Sequence, residues 1–290
     1  MASRFWVGGT GTWDASDTTH WAATSGGAGG QSVPGSADTV TFDANSGGGI
    51  VTVNTTVTVI SIACGAFTGT LDFSINNNNV TLSGAGNAFN GGGTGVRTIK
   101  LGNGTWNFTT TATGGANLWT IGTTTNLTFD AGSSVIHFSG DAVPSAGNGL
   151  RVFSGGNLTY ATIQIAAQSN GARFSLGGAN TIGTLTVAGP NEIAIAANQT
   201  IATLSLNGTS TGLIVVQSST DGGTGRTISV ASNPPTLDWV AFQDITGAGG
   251  ASFVANNSFD LGGTSGITIN PPGGGGGGAA QLVDSGALVG

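Results

Sequence analysis

From about residue 47 onward, apolar and polar residues alternate in short runs such as "IVTVNTTVTVISIA", "RTIKLGNGTWNFT", "SVIHFSG", "TIGTLTVAG" and "EIAIAANQTIATLSLNG". Val, Ile, Leu and Phe trading places with Thr, Ser and Asn is the period of a half-buried strand, and no window carries apolar residues at the helical spacing i, i+3, i+4, i+7. The pattern predicts an all-β fold. Its connectors are irregular, glycine-rich and of variable length, unlike the tight two-residue turns that join antiparallel hairpins. Short strands with small or amide residues at their corners, as in "INNNNV" (residues 75–80), fit a chain that coils on itself, each coil stacking on the one below. Asparagine suits such corners because it tolerates left-handed backbone angles. The expected architecture is a right-handed parallel β-helix, a solenoid with an aromatic-rich N-terminal cap. At about 22 residues per coil, residues 47–270 make about ten coils and a rod of about 50 Å.

Three segments follow. Residues 1–46 are the expected cap: "FWVGGTGTWDASDTTHW" places Trp6, Trp13 and Trp21 within reach of the open apolar column, with Gly8, Gly9 and Gly11 letting the backbone turn close to the rings. Pro34 and Gly35 read as a turn, and Val40 and Phe42 as the first inward pair. A sugar-binding aromatic platform is the competing reading of the three indoles. Residues 47–270 are the β-helix. Residues 271–290 open with Pro271 and Pro272, run through six glycines and end in "AAQLVDSGALVG", where Leu282, Val283, Leu288 and Val289 make an apolar tail. Either that tail is free or residues 280–290 dock on a neighbouring protein.

Composition supports the pattern. Glycine supplies 54 of 290 residues without a three-residue period, and only 7% of residues are charged, yet 38% are hydrophobic, which excludes both collagen and a solvating disordered chain. In a stack of strands, like charges repeated every 4.8 Å or so would repel, so outward positions favour threonine and serine. The net charge is −7, Lys100 is the single lysine, and Arg4, Arg97, Arg151, Arg173 and Arg226 are scattered. Nothing here neutralises a row of phosphates, so nucleic acid is not an expected partner. No apolar run reaches the length of a membrane span, and no membrane insertion is expected. "MASRFWVGG" lacks the basic and apolar regions of a secretory signal, so release in a particle is the expected route to an exterior.

Candidate chemistry is sparse. Cys64 sits in the apolar "VTVISIAC" and reads as a buried thiol. His20 and His137 are far apart with no metal-ligand spacing; His137, between Ile136 and Phe138, is expected to face outward. "GTGTW" and "GGTGVR" lack a phosphate-loop lysine, and there is no "GxSxG". Asp72, Asp130, Asp141, Asp221, Asp238, Asp244 and Glu192 are the carboxylates from which a glycan-cleaving pair on adjacent coils would be drawn; most are expected at turns, and Asp238 with Asp244 is the pair to test first. Six N-x-T sequons, at Asn54, Asn107, Asn126, Asn157, Asn198 and Asn207, read as a product of composition. No catalytic residue, cofactor-binding residue or metal ligand is expected, and the chain reads as non-enzymatic.

Two stretches carry a resemblance. "RFWVGGTGTWDASDTTHWAATSGGAGGQSVPGSADTVTFDANSG" and "LDWVAFQDITGAGGASFVANNSFDLGGTSGITI" (residues 237–269) resemble the opening and closing segments of tailed-bacteriophage virion structural proteins of the glycine-rich β-helical type; the opening is also similar to some β-helical bacterial surface proteins. Ile267 departs from the pattern, where an aromatic residue is expected. The resemblance implies a tail fibre or capsid-decorating protein on the particle surface, a homo-oligomer (a trimer) whose partners are other virion proteins and, as a candidate, a host surface glycan. It implies no catalytic residues. The alternatives are a phage glycan depolymerase and a bacterial adhesin; the adhesin requires a membrane anchor that this sequence does not contain.

Overall fold

The computed structural model describes residues 1–111, 116–141, 150–169, 173–219 and 225–273. The chain is all-β, its strands arranged in parallel sheets. It visits three sheets in rotation. Starting from Asp38–Thr41 in the first sheet it passes Ile50–Val53 in the second and Val57–Val59 in the third, then returns to the first sheet as Ser61–Ala63, beside its starting strand. Each of the early circuits thus adds one strand to each sheet, parallel to the last. Twelve strands accumulate in the first sheet, and only Trp21–Ala22 among them is antiparallel. At the spacing of neighbouring strands this sheet spans about 50 Å.

The alternation seen in the sequence sets which side faces in. Val40, Ile62, Phe89, Trp119, Phe153, Leu176 and Ile195 fall in register on successive strands of the first sheet, and all are buried. Rings dominate the early layers: Phe89 stacks on Trp119 at 4.2 Å and Phe108 on Phe138 at 4.9 Å. From Phe174 onward the column is mostly Ile, Leu and Val. Corners use left-handed residues as the sequence suggests: Asn77, Asn87, Asn126, Asn157 and Asn257 all have positive φ, joined by Asp244 and Trp239.

Residues 1–46 are woven into the same sheets. Ala2–Trp6 pairs parallel with Asp38–Thr41, and Gly11–Trp13 pairs parallel with Ile50–Val53, so no break in pairing falls at residue 46. Trp6, Trp13 and Trp21 are buried around Phe42 and form the first layer of the core itself. What covers the outer edge is backbone: Trp21–Ala22 folds antiparallel onto Ala2–Trp6. Gly8 and Gly11 leave room for His20, whose ring stacks on Trp6 at 4.6 Å with planes 5° apart. Val40 and Phe42 point inward as expected, and Asp38 N–H donates to the Gly35 carbonyl in the Pro34–Gly35 turn.

The second sheet ends early. It contains Gly11–Trp13, Ile50–Val53, Thr70–Asp72, Arg97–Lys100 and Leu127–Asp130, and among the described residues no later strand joins it. In the following circuits one long strand does the work of two: Thr159–Ile165, Thr181–Ala188 and Gln199–Asn207 stack in register in the third sheet. Each has two successive residues facing out, Ala161 with Thr162, Gly183 with Thr184 and Ala202 with Thr203. That slip in alternation bends the strand. Above Gln199–Asn207 the halves separate again, its first part pairing with Arg226–Val230 and its last with Thr236–Asp238.

Candidate functional site

The bend shared by these three long strands makes a trough on the outer surface, parallel to the stack, with a volume of about 410 Å³. Ala161, Gly183 and Ala202 form its floor, one from each layer. Glycine is needed at 183: a Cβ there would stand 2.6 Å from the Ala161 carbonyl oxygen. Along one side Thr159 and Thr181 lie in register and exposed. The last strand of the second sheet closes one end with Phe129 and Asp130. Phe129 is half-buried, its ring 5.3 Å from that of Tyr160. The Tyr160 hydroxyl is spent inside the core, donating to Gly155 O at 2.7 Å and accepting from Trp119 Nε1 at 3.2 Å, and burial raises its pKa well above the ordinary phenol value. Tyr160 therefore brings no titrating group to the trough.

Asp130 is the carboxylate of this site. Its Oδ1 accepts the Gly132 N–H at 2.8 Å, and its side chain is exposed at the end of the strand. Asp72, Lys100 and Asp130 occupy corresponding positions on three consecutive strands. Lys100 Nζ is 3.0 Å from Asp72 Oδ2, so the lysine is tied to the lower carboxylate.

The remaining carboxylates serve local structure. Asp141 accepts from Ser169 N and Oγ, and Glu192 is held by Arg173 at 3.0 Å and Gln217 at 2.8 Å, although burial pushes its pKa up. Asp221 lies outside the described residues. Asp238 and Asp244, the pair singled out from the sequence, are engaged separately: Asp238 Oδ1 accepts from Asn257 Nδ2 at 2.8 Å, while the Asp244 backbone forms the corner through Gly262 and Arg226. Cys64 is buried. His137 lies half-buried on the outer side of its strand between Asn107 and Gln164, and burial lowers its pKa. Of the sequon asparagines, Asn126 and Asn157 have positive φ and Asn198 Oδ1 accepts from Thr227 N, whereas Asn107 lies within the strand Thr105–Phe108 and accepts from Ser139 Oγ. Among the described residues no group of three or more His, Cys, Asp or Glu is placed to hold a metal ion, and no helix is long and apolar enough to cross a membrane.

Two arginines are buried as fasteners. Arg97 donates to the carbonyls of Gly91, Gly95, Thr123 and Thr125, and Arg151 to Gly140 O, Thr110 O and Gln168 Oε1. Desolvation brings the Arg151 pKa down to about 10. Comparison with protein-family models, with curated proteins and with solved structures finds no match.

The trough escaped the sequence reading, yet it has a signal: "TYATIQI", "TIGTLTV" and "TIATLSL", starting at Thr159, Thr181 and Thr200, share one pattern, with Ala or Gly before the second threonine.

Proposed function

We propose that this chain is a right-handed parallel β-helix serving as a non-enzymatic structural rod on the surface of a tailed-phage particle, as a tail fibre or capsid decoration. The observation that carries the reading is the unbroken parallel stack from Ala2–Trp6 to Phe259–Asp260, closed at its first edge by an antiparallel strand. Parallel crossovers are right-handed in about 98% of cases, which supports the hand. A stack of this kind is stiff along its axis because every added layer is paired to its neighbour, and the covered first edge removes one site of uncontrolled strand addition.

The charges support a scaffold better than a catalyst. Asp72, Asp130 and Asp141 bond turn backbone, and Arg97 and Arg151 bond carbonyls. Few cations remain to meet nucleic acid. The expected attachment to other virion proteins runs through residues 280–290, which lie outside the described residues, and the assembly is a homo-oligomer, a trimer. Mass spectrometry of purified virions tests the assignment: the chain is expected among the particle proteins in stoichiometric amount, and its absence ends the reading.

A further inference from the structure

We propose that Asn103 is a site of self-modification, where the chain converts its own asparagine to an acidic residue through a succinimide closed by the backbone nitrogen of Gly104. The sequence contains five Asn–Gly pairs, beginning at Asn90, Asn103, Asn148, Asn170 and Asn207, of which Asn148 and Asn170 lie outside the described residues. A glycine after asparagine has no side chain to hinder ring closure and turns freely, so the sequence makes every pair a candidate. One bond separates them in the fold. Gly91 N donates to Thr120 O and Gly208 N to Asp238 O, each at 2.9 Å, so in these two pairs the nitrogen that would attack is committed to the following layer. Gly104 N donates to nothing among the described residues. Asn90 and Asn207 also belong to the strands Phe89–Asn90 and Gln199–Asn207, whereas Asn103 stands exposed in the turn between Arg97–Lys100 and Thr105–Phe108.

The corner also holds the carbonyl that is attacked. Asn103 Oδ1 accepts from Ser133 N at 3.2 Å, one layer onward, and Asn103 N donates to Asn77 Oδ1 at 2.8 Å, one layer back. A fixed N–H on Oδ1 stabilises the negative charge that gathers there as nitrogen adds to Cγ. The stack itself demands glycine at 104, since a Cβ there would run into the Asn78 carbonyl oxygen, so packing preserves the reactive pair. In the first step the Gly104 nitrogen gives its proton to water and bonds to Cγ, while the Cγ–Nδ2 bond breaks and ammonia leaves with a proton taken from water. In the second, water opens the ring at either carbonyl and leaves aspartate or isoaspartate. Nothing is oxidised or reduced. The product places a new negative charge beneath the Gly132–Ser133 turn, which the Asp130 carboxylate already holds through Gly132 N.

This chemistry is a property of the chain alone and stands whether or not the chain belongs to a particle. The test is peptide mapping by mass spectrometry of the full chain held at mildly alkaline pH, once folded and once in urea, following the amide-to-acid mass change at Asn90, Asn103 and Asn207. In the folded chain Asn103 is expected to convert at least about tenfold faster than the other two, whose glycine nitrogens are freed only when the layers part. In urea the three are expected to convert at similar rates, because only the shared Asn–Gly sequence remains. Hydroxylamine, which opens a succinimide and splits the chain there, is expected to cut the folded chain between Asn103 and Gly104 before it cuts at Asn90 or Asn207. The proposal is overturned if folded Asn103 stays intact while the chain in urea converts, if the three sites keep pace with one another in the folded chain, or if hydroxylamine leaves the bond after Asn103 whole.

Discussion

Lys100 Nζ stands 3.0 Å from Asp72 Oδ2, two side chains 28 residues apart in sequence that parallel pairing sets on adjacent strands. Burial alone would raise the Asp72 pKa, but hydrogen bonds from Ser74 and Lys100 and the lysine charge outweigh it and hold the carboxyl below its ordinary 3.8. A depressed folded-state pKa contributes stability that is present above the unfolded value and is lost as pH falls through the folded one. Asp72→Asn is therefore expected to flatten the decline in stability below about pH 4, read from urea midpoints at neutral and acid pH. Parallel pH profiles for the two proteins would refute the linkage.

Arg97 ties two successive corners together through four carbonyls at 2.8–3.2 Å, and it is 1% exposed. Arg97→Met leaves these acceptors without their donor in a closed space and is expected to cost about 3 kcal/mol or more. Arg97→Lys is expected to recover little, because an ammonium group lacks the planar fork that reaches all four oxygens. Urea unfolding at unchanged m-value measures both.

The tryptophans of the first layer differ in one respect that can be measured. Trp6 Nε1 donates to Gly9 O at 2.8 Å, whereas Trp21 Nε1 is buried with no hydrogen-bond partner among the described residues. Both Phe substitutions lose ring volume, but only Trp6→Phe deprives a carbonyl of its donor. Trp21→Phe is expected to be the milder change by about 1 kcal/mol in equilibrium unfolding. The opposite order would mean that the Trp21 N–H is satisfied in solution.

Cys64 is fully buried, and desolvation pushes its thiol pKa up to about 12. Thiolate is the reactive form, so the native protein is expected to resist aromatic disulfide reagents at pH 8 or so and to be labelled only as the stack opens. Labelling that outpaces unfolding would indicate local opening of Ser61–Ala63 and the corner after it.

Much of the architecture is legible in residues alone. Alternation at Val40 and Phe42, the asparagine corner at Asn77 and the indoles of Trp6 and Trp13 each state their environment locally, through hydrophobicity or backbone preference, and each is found where that preference puts it. The candidate site is less legible. From Val40 to its register partner Ile62 the chain advances 22 residues, but from Trp119 to Phe153 it advances 34, so no fixed period aligns Asp72, Lys100 and Asp130. Outward loops lengthen at little entropic cost, and they erase the repeat.

The sequence by itself therefore determined the strand chemistry: which residues turn inward, which corners need left-handed backbone, and how little free charge is left for reactions. Only the tertiary structure decided which strands are neighbours, that no described strand joins the second sheet after Asp130, and that Ala161, Gly183 and Ala202 share one hollow. The physical reason is that burial is a property of each residue, whereas register between layers depends on how much chain each circuit spends outside the sheets.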